Sequence, residues 1–343
     1  MINRPEFDSR ALDRAGEVLV AGPLDGHEQE WLDALELVNR WRGAHSRPLN
    51  TFQVNLRRRV GSEGIVARRL KRLPSIRSKL ERLTWLRLSR MQDIGGCRAV
   101  VNEADDAFNL AANLADSRIR HTLVSYNNYI DEPRRTGYRG LHLVYAYHSD
   151  KTEQWRGLNT EIQIRSQLQH QWATAVETVG TFIRQELKSG KGNPDWLRFF
   201  ALMSSFVARL EEKEIVPDTP SNDRELLEEI SDLDAALGIT ERLAAFQSIV
   251  ASLTGPRRIA NHWVVLELDL QSNSVTGHAF RPSELEDAMD WYLKRELETR
   301  EQGQTEVVLV SSSSLSDLRR AYPNFFADLS LFGYLLREAI DRS

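Results

Sequence analysis

The sequence predicts an α+β protein, a mixed sheet flanked by helices and followed by a smaller C-terminal α+β unit. Three observations carry that expectation. Strand-length apolar runs at about 97–102, 118–125, 141–147 and 160–165 are interleaved with segments of helical apolar periodicity. Val216-Pro217-Asp218-Thr219-Pro220-Ser221 combines two prolines with small polar residues, the strongest joint in the chain. Beyond it, Trp263–Leu270 and Ser274–Phe280 alternate as a hairpin around Ser272-Asn273. At 343 residues the chain is long enough for two domains. The expected division is 1–215 for the larger domain with its N-terminal helices, 216–255 for a linker and connecting helix, and 256–343 for the C-terminal unit.

Residues 8–43 read as two helices. Asp8 is placed to cap the first, and Trp31, Leu32, Leu35, Leu37, Val38 and Trp41 stripe the second. Pro48 is expected to begin an extended entry into a cationic segment. From 76 to 90, Ile76, Leu80, Leu83 and Leu86 make an apolar helical stripe, with Pro74 before it and Ser75 as its N-cap. A helix follows at about 105–116, then helices at 166–188 and 195–213. His170 and Trp172 on the first of these read as structural residues rather than a metal ligand and a stacking platform. A long polar helix is expected at 222–252, a helix at Pro282–Arg300, a strand at Glu306–Val310, and a final helical stretch to Ile340.

Composition is that of an ordinary globular protein, 41% hydrophobic and 27% charged. No run of 18 apolar residues exists, so no membrane span is expected. The N-terminus lacks a basic-then-apolar pattern, so export is not expected. The single cysteine, Cys97, excludes an internal disulfide and a Cys-rich zinc site and suits a reducing cytoplasm.

Charge is distributed unevenly. Between Arg57 and Arg90 lie twelve Arg or Lys against only Glu63 and Glu81, an excess of ten positive charges in a chain whose net charge is −4. That asymmetry points to a polyanionic partner, a nucleotide triphosphate or a nucleic acid. The segment ends on Asp93, a lone acid at the mouth of the apolar strand Cys97–Val101. A carboxylate beside many cations suits a Mg²⁺ ion that carries phosphates. Pro133 to His142 form a Gly-containing loop with one aromatic, Tyr138. In Thr160-Glu161-Ile162-Gln163-Ile164-Arg165, strand alternation puts Glu161, Gln163 and Arg165 on one face. Glu161 and Arg165 there could form a structural ion pair. Asp93 and Glu161, both at strands, could instead hold one metal.

Four segments in this order resemble the synthetase domain of the RelA/SpoT alarmone synthetases and their toxic small relatives. They are R-x-K-x3-S-x3-K (Arg69, Lys71, Ser75, Lys79), D-I-G-G-x-R (Asp93 to Arg98), G-Y-R-G-x-H (Gly137 to His142) and E-I-Q-I-R (Glu161 to Arg165). The resemblance covers roughly residues 45–190. It implies a nucleotidyltransferase-like fold and transfer of the β,γ-pyrophosphate of ATP to a ribose 3′-hydroxyl. By motif, Arg69, Lys71, Ser75 and Lys79 would bind ATP, and Asp93 and Glu161 would hold Mg²⁺ and serve catalysis. Tyr138 would stack on the acceptor base, with Arg134, His142 and Arg165 on the acceptor side. The loop departs from the family pattern at Arg134, Thr136 and Gly140, all on the acceptor side. GDP or GTP and the 3′-terminal adenosine of tRNA are therefore both open as acceptors, tRNA being preferred. A non-catalytic RNA-binding module is the remaining alternative.

In Ala321-Tyr322-Pro323-Asn324-Phe325-Phe326, the Tyr322-x-x-Phe325 spacing approximates a Tyr-x-x-Tyr hallmark with Phe in its second position, and by it the C-terminal unit resembles the pseudo-zinc-finger antitoxin part of the fused CapRel group. That resemblance implies autoinhibition through Tyr322 and Phe325, relief by a phage protein, and a role in phage defence. The unit has no Cys/His cluster, so zinc is not expected.

Overall fold

The computed structural model describes residues 7–23, 27–116, 120–149, 154–182, 185, 187, 190–240, 243, 262–269, 274–281, 283–299, 305–312 and 329–343. Tyr322 and Phe325 lie outside these, so the inhibitory role expected of them is not described.

Three helices open the fold: α1 (Ser9–Ala21), α2 (Glu28–Ala44) and α3 (Ser46–Val60). Asp8 caps α1 as expected, its carboxylate accepting from the Arg10 and Ala11 amides. The extended entry expected at Pro48 is instead the first turn of α3. A proline is tolerated there because first-turn N–H groups have no intrahelical acceptor. Strand β1 (Ile65–Leu70) follows, then α4 (Leu73–Arg82), β2 (Gly95–Val101) and α5 (Ala104–Ala115). The helix expected across 76–90 thus stops at Arg82, and a single 3₁₀ turn at Leu88–Arg90 continues the path. Strands β3 (Thr122–Asn128), β4 (Leu141–Ala146) and β5 (Asn159–Ser166) lie close to the expected positions. Helices α6 (Gln167–Phe182) and α7 (Pro194–Leu210) then cross to α8 (Asp223–Leu237). The C-terminal part comprises β6 (His262–Asp269), β7 (Ser274–Phe280), α9 (Leu285–Glu298), β8 (Thr305–Ser312) and α10 (Ser330–Asp341).

Among the described residues, eight strands join one mixed sheet in the order β3-β4-β5-β2-β1-β8-β6-β7. Only the β2–β5 pair is parallel. The expected boundaries at 216 and 256 do not divide this sheet. β8 pairs with β1 through Arg68↔Ser311 and Arg69↔Val310, satisfying the backbone groups that would otherwise line an open edge. Alternation along the strands separates the two faces. Ile162, Ile164, Leu141, Leu143, Cys97 and Ala99 point to a core closed by Leu49, Phe52 and Leu56 of α3 and Ala107, Leu110 and Leu114 of α5. Helices α1, α2 and α4 form a second core around Val38, Trp41 and Ile76. A third joins α6, α7 and α8 to α10, with Trp172, Phe199 and Phe200 against Phe332 and Leu336. The end of the chain is thereby part of the helical layer behind the sheet.

Val216 in the proline-containing joint is fully buried, and its amide donates to Ser205 Oγ at 2.9 Å. Gly238, in the left-handed conformation at φ 59° and ψ 45°, ends α8 at Leu237 and so interrupts the helix expected to run to 252; Ile239, Thr240 and Leu243 are helical again, and residues 244–252 lie outside the described residues. Among the described residues, no helix is long and apolar enough to cross a membrane.

Candidate active site

The polar face of the sheet opens into a cleft of about 510 Å³. Because β2 and β5 run parallel with Gly96 opposite Glu161, the residues just before β2 arrive beside the Glu161 side chain. The antiparallel β4–β5 register sets His142 opposite Gln163, two residues from Glu161 and on the same face. The bend from β1 to α4 carries Arg69 and Lys71 to the same place, and Lys79 reaches in from the second turn of α4. Arg69, Lys71, Lys79, Asp93, Arg134, Tyr138, His142, Glu161 and Arg165 all line this cleft. Of the expected site residues outside the C-terminal unit, only Ser75 does not. Nor does Ser75 cap α4. The helix begins two residues earlier, at Leu73, with Pro74 in its first turn, and Arg72 in the cap position makes no side-chain cap bond.

Two carboxylates organise the charge. Asp93 Oδ2 accepts from Lys71 Nζ and Lys79 Nζ, each at 2.9 Å. Burial pushes the Asp93 carboxyl up, but the two ammonium groups outweigh it and hold it below its ordinary value. Burial lowers the pKa of Lys71, an effect that Asp93 opposes and the neighbouring Lys79 and Arg69 reinforce. Glu161 Oε1 takes a 2.9 Å contact from His142 Nδ1, and Glu161 Oε2 accepts from Gln163 Nε2 at 2.8 Å. Burial again acts upward on Glu161, yet the His142 contact, the Gln163 amide and the Lys79 charge hold it far below the carboxylate range. Burial disfavours the His142 imidazolium, but Tyr138 and Glu161 outweigh it and raise its pKa.

Tyr138 is not an open stacking platform. It is 6% exposed, with Tyr129 and His142 both edge-on at 5.8 and 5.5 Å between ring centroids. Its hydroxyl meets His142 Nε2 at 2.5 Å and accepts from Arg165 Nη2 at 2.8 Å. Arg165, Tyr138, His142 and Glu161 are therefore one connected chain of polar contacts. The Glu161–Arg165 ion pair that strand alternation allowed is not the arrangement formed. The more open ring is Tyr129, half-buried at the cleft wall, whose face carries the Arg134 guanidinium at 4.4 Å.

The glycines of the loop are demanded by its geometry. Gly137 has φ +86°, and a Cβ there would stand 2.7 Å from Trp172 Cζ2 and 2.9 Å from Ser204 Cβ. Gly140 has φ +142°, and its Cβ would crowd Arg165 Cγ at 3.1 Å and Ile164 O at 3.2 Å. Sequence reasoning missed Tyr129 and gave no role to Arg139. The latter is 2% exposed and clamps the loop through Ser204 Oγ at 3.0 Å, Ile130 O at 2.9 Å and Glu214 O at 2.5 Å. The only signal for Arg139 was its place between two glycines.

The residues fit a divalent cation. Asp93 Oδ1 is buried without a hydrogen-bond partner among the described residues. Paired carboxylates facing a cationic pocket match the oxygen-rich, phosphate-completed coordination of Mg²⁺. Cys97, by contrast, is a packing residue. Its thiol is buried and pushed up to about 12.

A family model described as the region found in RelA / SpoT proteins matches residues 68–180. The GTP pyrophosphokinase YjbM of Bacillus subtilis (strain 168) is 32% identical over 111 residues, 32% of this chain and 52% of the relative. The match thus spans about half the length of that curated relative. Among solved structures, the small alarmone synthetase 1 from Bacillus subtilis bound to its product pppGpp is 24% identical. It covers 49% of this chain and 89% of its own, with a TM-score of 0.42. A GTP pyrophosphokinase family protein from Streptococcus pneumoniae is 22% identical over 53% of this chain and 90% of its own, also with a TM-score of 0.42.

Proposed function

We propose that this protein is a pyrophosphotransferase that moves the β,γ-pyrophosphate of ATP onto a ribose 3′-hydroxyl. The observation that carries the reading is the convergence of Lys71 and Lys79 on Asp93 beside an aligned, ionised Glu161. The reaction forms a bond between the acceptor oxygen and the β-phosphorus, breaks the bond from that phosphorus to the α,β-bridging oxygen, and releases AMP. It requires positioning and neutralisation of charge more than covalent chemistry by the protein. Arg69, Lys71 and Lys79 would hold the donor phosphates, the lysines exchanging one anionic partner, Asp93, for another. Asp93 and Glu161 would hold Mg²⁺, which when bound offsets phosphate charge and orients the transferred group. In this reading Glu161 would also take the proton that the attacking hydroxyl gives up. It would orient that hydroxyl as well, fixed in place by His142 and Gln163.

The acceptor lies on the Arg134, Tyr138, His142 and Arg165 side of the cleft. The name of the curated relative favours GDP or GTP. The polar mouth favours a larger polyanion. Arg82, which lines it, is exposed, and the segment that follows Arg82 carries exposed Arg87 and Arg90 with Trp85 73% exposed among them. Cations interleaved with an open aromatic suit a nucleic-acid backbone with an unstacked base. On that reading the 3′ end of tRNA is the acceptor, the product blocks translation, and a phage protein acting on the C-terminal part is the trigger. ATP labelled in its β,γ-phosphates, Mg²⁺ and, separately, GDP, GTP and deacylated tRNA test both levels. Label transfer with AMP release is expected. No AMP release with any acceptor would refute the activity, and transfer to guanine nucleotides alone would refute the tRNA reading.

A further inference from the structure

The bend that delivers Lys71 and starts α4 is held from the far end of the chain. Arg42 on α2 is fully buried and donates from Nε to the carbonyl of Lys71 at 3.0 Å. The Lys71 amide donates in turn to the carbonyl of Ile94, the neighbour of Asp93, at 2.8 Å. The Arg42 Nη2 donates to the hydroxyl of Tyr292 at 2.6 Å and pairs with Glu296 Oε2 at 3.2 Å. Glu296 Oε1 accepts from the Leu73 amide at 2.8 Å, the first N–H of α4. Tyr292 and Glu296 are both on α9. A helix N-terminus is a natural place for a phosphate, but here a buried carboxylate from α9 already fills it. The donor phosphates are thereby left to the lysines in the cleft, and the N-terminus of α4 is anchored.

We propose that Glu296 and Tyr292, acting through Arg42 and the Leu73 amide, are positioning residues for Lys71 and Lys79. The C-terminal strands and α9 are then a working part of the ATP site. Both lysines reach the same oxygen of Asp93. Their convergence depends on the direction of residues 71–73 and on the axis of α4, which are the two features that Arg42 and Glu296 fix. The inference rests on the pyrophosphotransferase reading and differs in sign from a restraint in cis, in which loosening these contacts would raise activity.

The test uses the full chain with Glu296→Gln and Tyr292→Phe, both close in shape to the original. Calorimetry with a non-hydrolysable ATP analogue and Mg²⁺ is combined with KM for ATP and for the acceptor. Glu296→Gln is expected to weaken the analogue and raise the ATP KM roughly ten- to hundredfold, as small displacements of positioning groups do. Tyr292→Phe should give a smaller change of the same kind, and the acceptor KM should stay in place. Analogue binding equal to wild type in both folded variants would overturn the proposal. So would equal loss on the donor and acceptor sides, the mark of a merely structural role, or a gain in activity. If Glu296→Gln does not fold, Tyr292→Phe decides alone: a raised ATP KM supports the proposal and an unchanged one overturns it. Wild type that binds no ATP analogue would instead bring down the pyrophosphotransferase reading itself.

Discussion

Asp93 and Glu161 are placed to do the same work, but their surroundings differ, and substitution should reveal that. Asp93→Asn would set an amide against two ammonium groups, and Glu161→Gln would remove the carboxylate that His142 contacts. Each should abolish pyrophosphate transfer, a loss on the order of several kcal/mol of transition-state stabilisation if a metal-bearing carboxylate is removed. Turnover near wild type in either variant would remove that residue from the metal set. His142 gives a pH signature. Its folded pKa is raised, so its contribution to stability is full below its unfolded pKa of about 6.5 and is lost as pH rises through the folded value. The melting-temperature gap between wild type and His142→Gln should therefore be widest below pH 6 and shrink in alkali. A gap that widens in alkali would contradict the His142–Glu161 pairing. The acidic pair was legible in the sequence because each acid lies in or beside a strand with apolar alternation. Burial of Tyr138 was not, because Tyr129 and Trp172, which close around its loop, are brought there only by the fold.

At the scale of elements, the loop before β4 tests how far backbone geometry sets chemistry. Gly140→Ala would force a side chain into a positive-φ position against Arg165 and Ile164. The strain should cost about 1–3 kcal/mol of stability. Because the crowded neighbour is the Arg165 side chain that holds Tyr138, acceptor KM should rise while ATP KM stays near wild type. Thermal unfolding and paired KM values check both parts, and an unaltered acceptor KM would separate Arg165 from acceptor binding. Most elements were legible from apolar periodicity. The exceptions share a cause, which is that tertiary partners replaced local signals. β1 was missed because Arg68 and Arg69 make it look exposed, whereas Arg68 is buried, stacked at 4.4 Å on the Trp263 ring and donating to Asn50 Oδ1 at 2.8 Å. Ser75 looked like a cap because nothing near it in the sequence reveals that Glu296 takes that function.

At the scale of the molecule, the sheet is continuous but unevenly joined. Seven residue pairs link β2 to β5, whereas two link β1 to β8. The C-terminal strands are also held on the front of the fold by the buried Arg42, Tyr292 and Glu296 group, by Trp263 on Arg68, and by Met289 and Leu297 packed against the front cores. The α10 helix, by contrast, buries Phe332, Leu335, Leu336 and Ala339 among α6, α7 and α8. A chain whose middle is pinned lightly and whose end is pinned firmly should open in an order that does not follow the sequence. Amide exchange follows such local opening, with protection scaling with the free energy of each cooperative unit. Peptides from β6, β7 and β8 should exchange well before those from β2 and β5, while peptides covering 330–341 should remain as protected as α7. The ATP analogue should slow exchange in β8 and α9, since the positioning contacts tie them to Lys71. Hydrogen exchange with mass spectrometry resolves these segments. Loss of protection at 330–341 together with the strands would mean that residues 262–343 open as one unit, as a separate regulatory domain would. Uniform protection across all eight strands would mean that the β1–β8 seam is no weaker than the rest of the sheet.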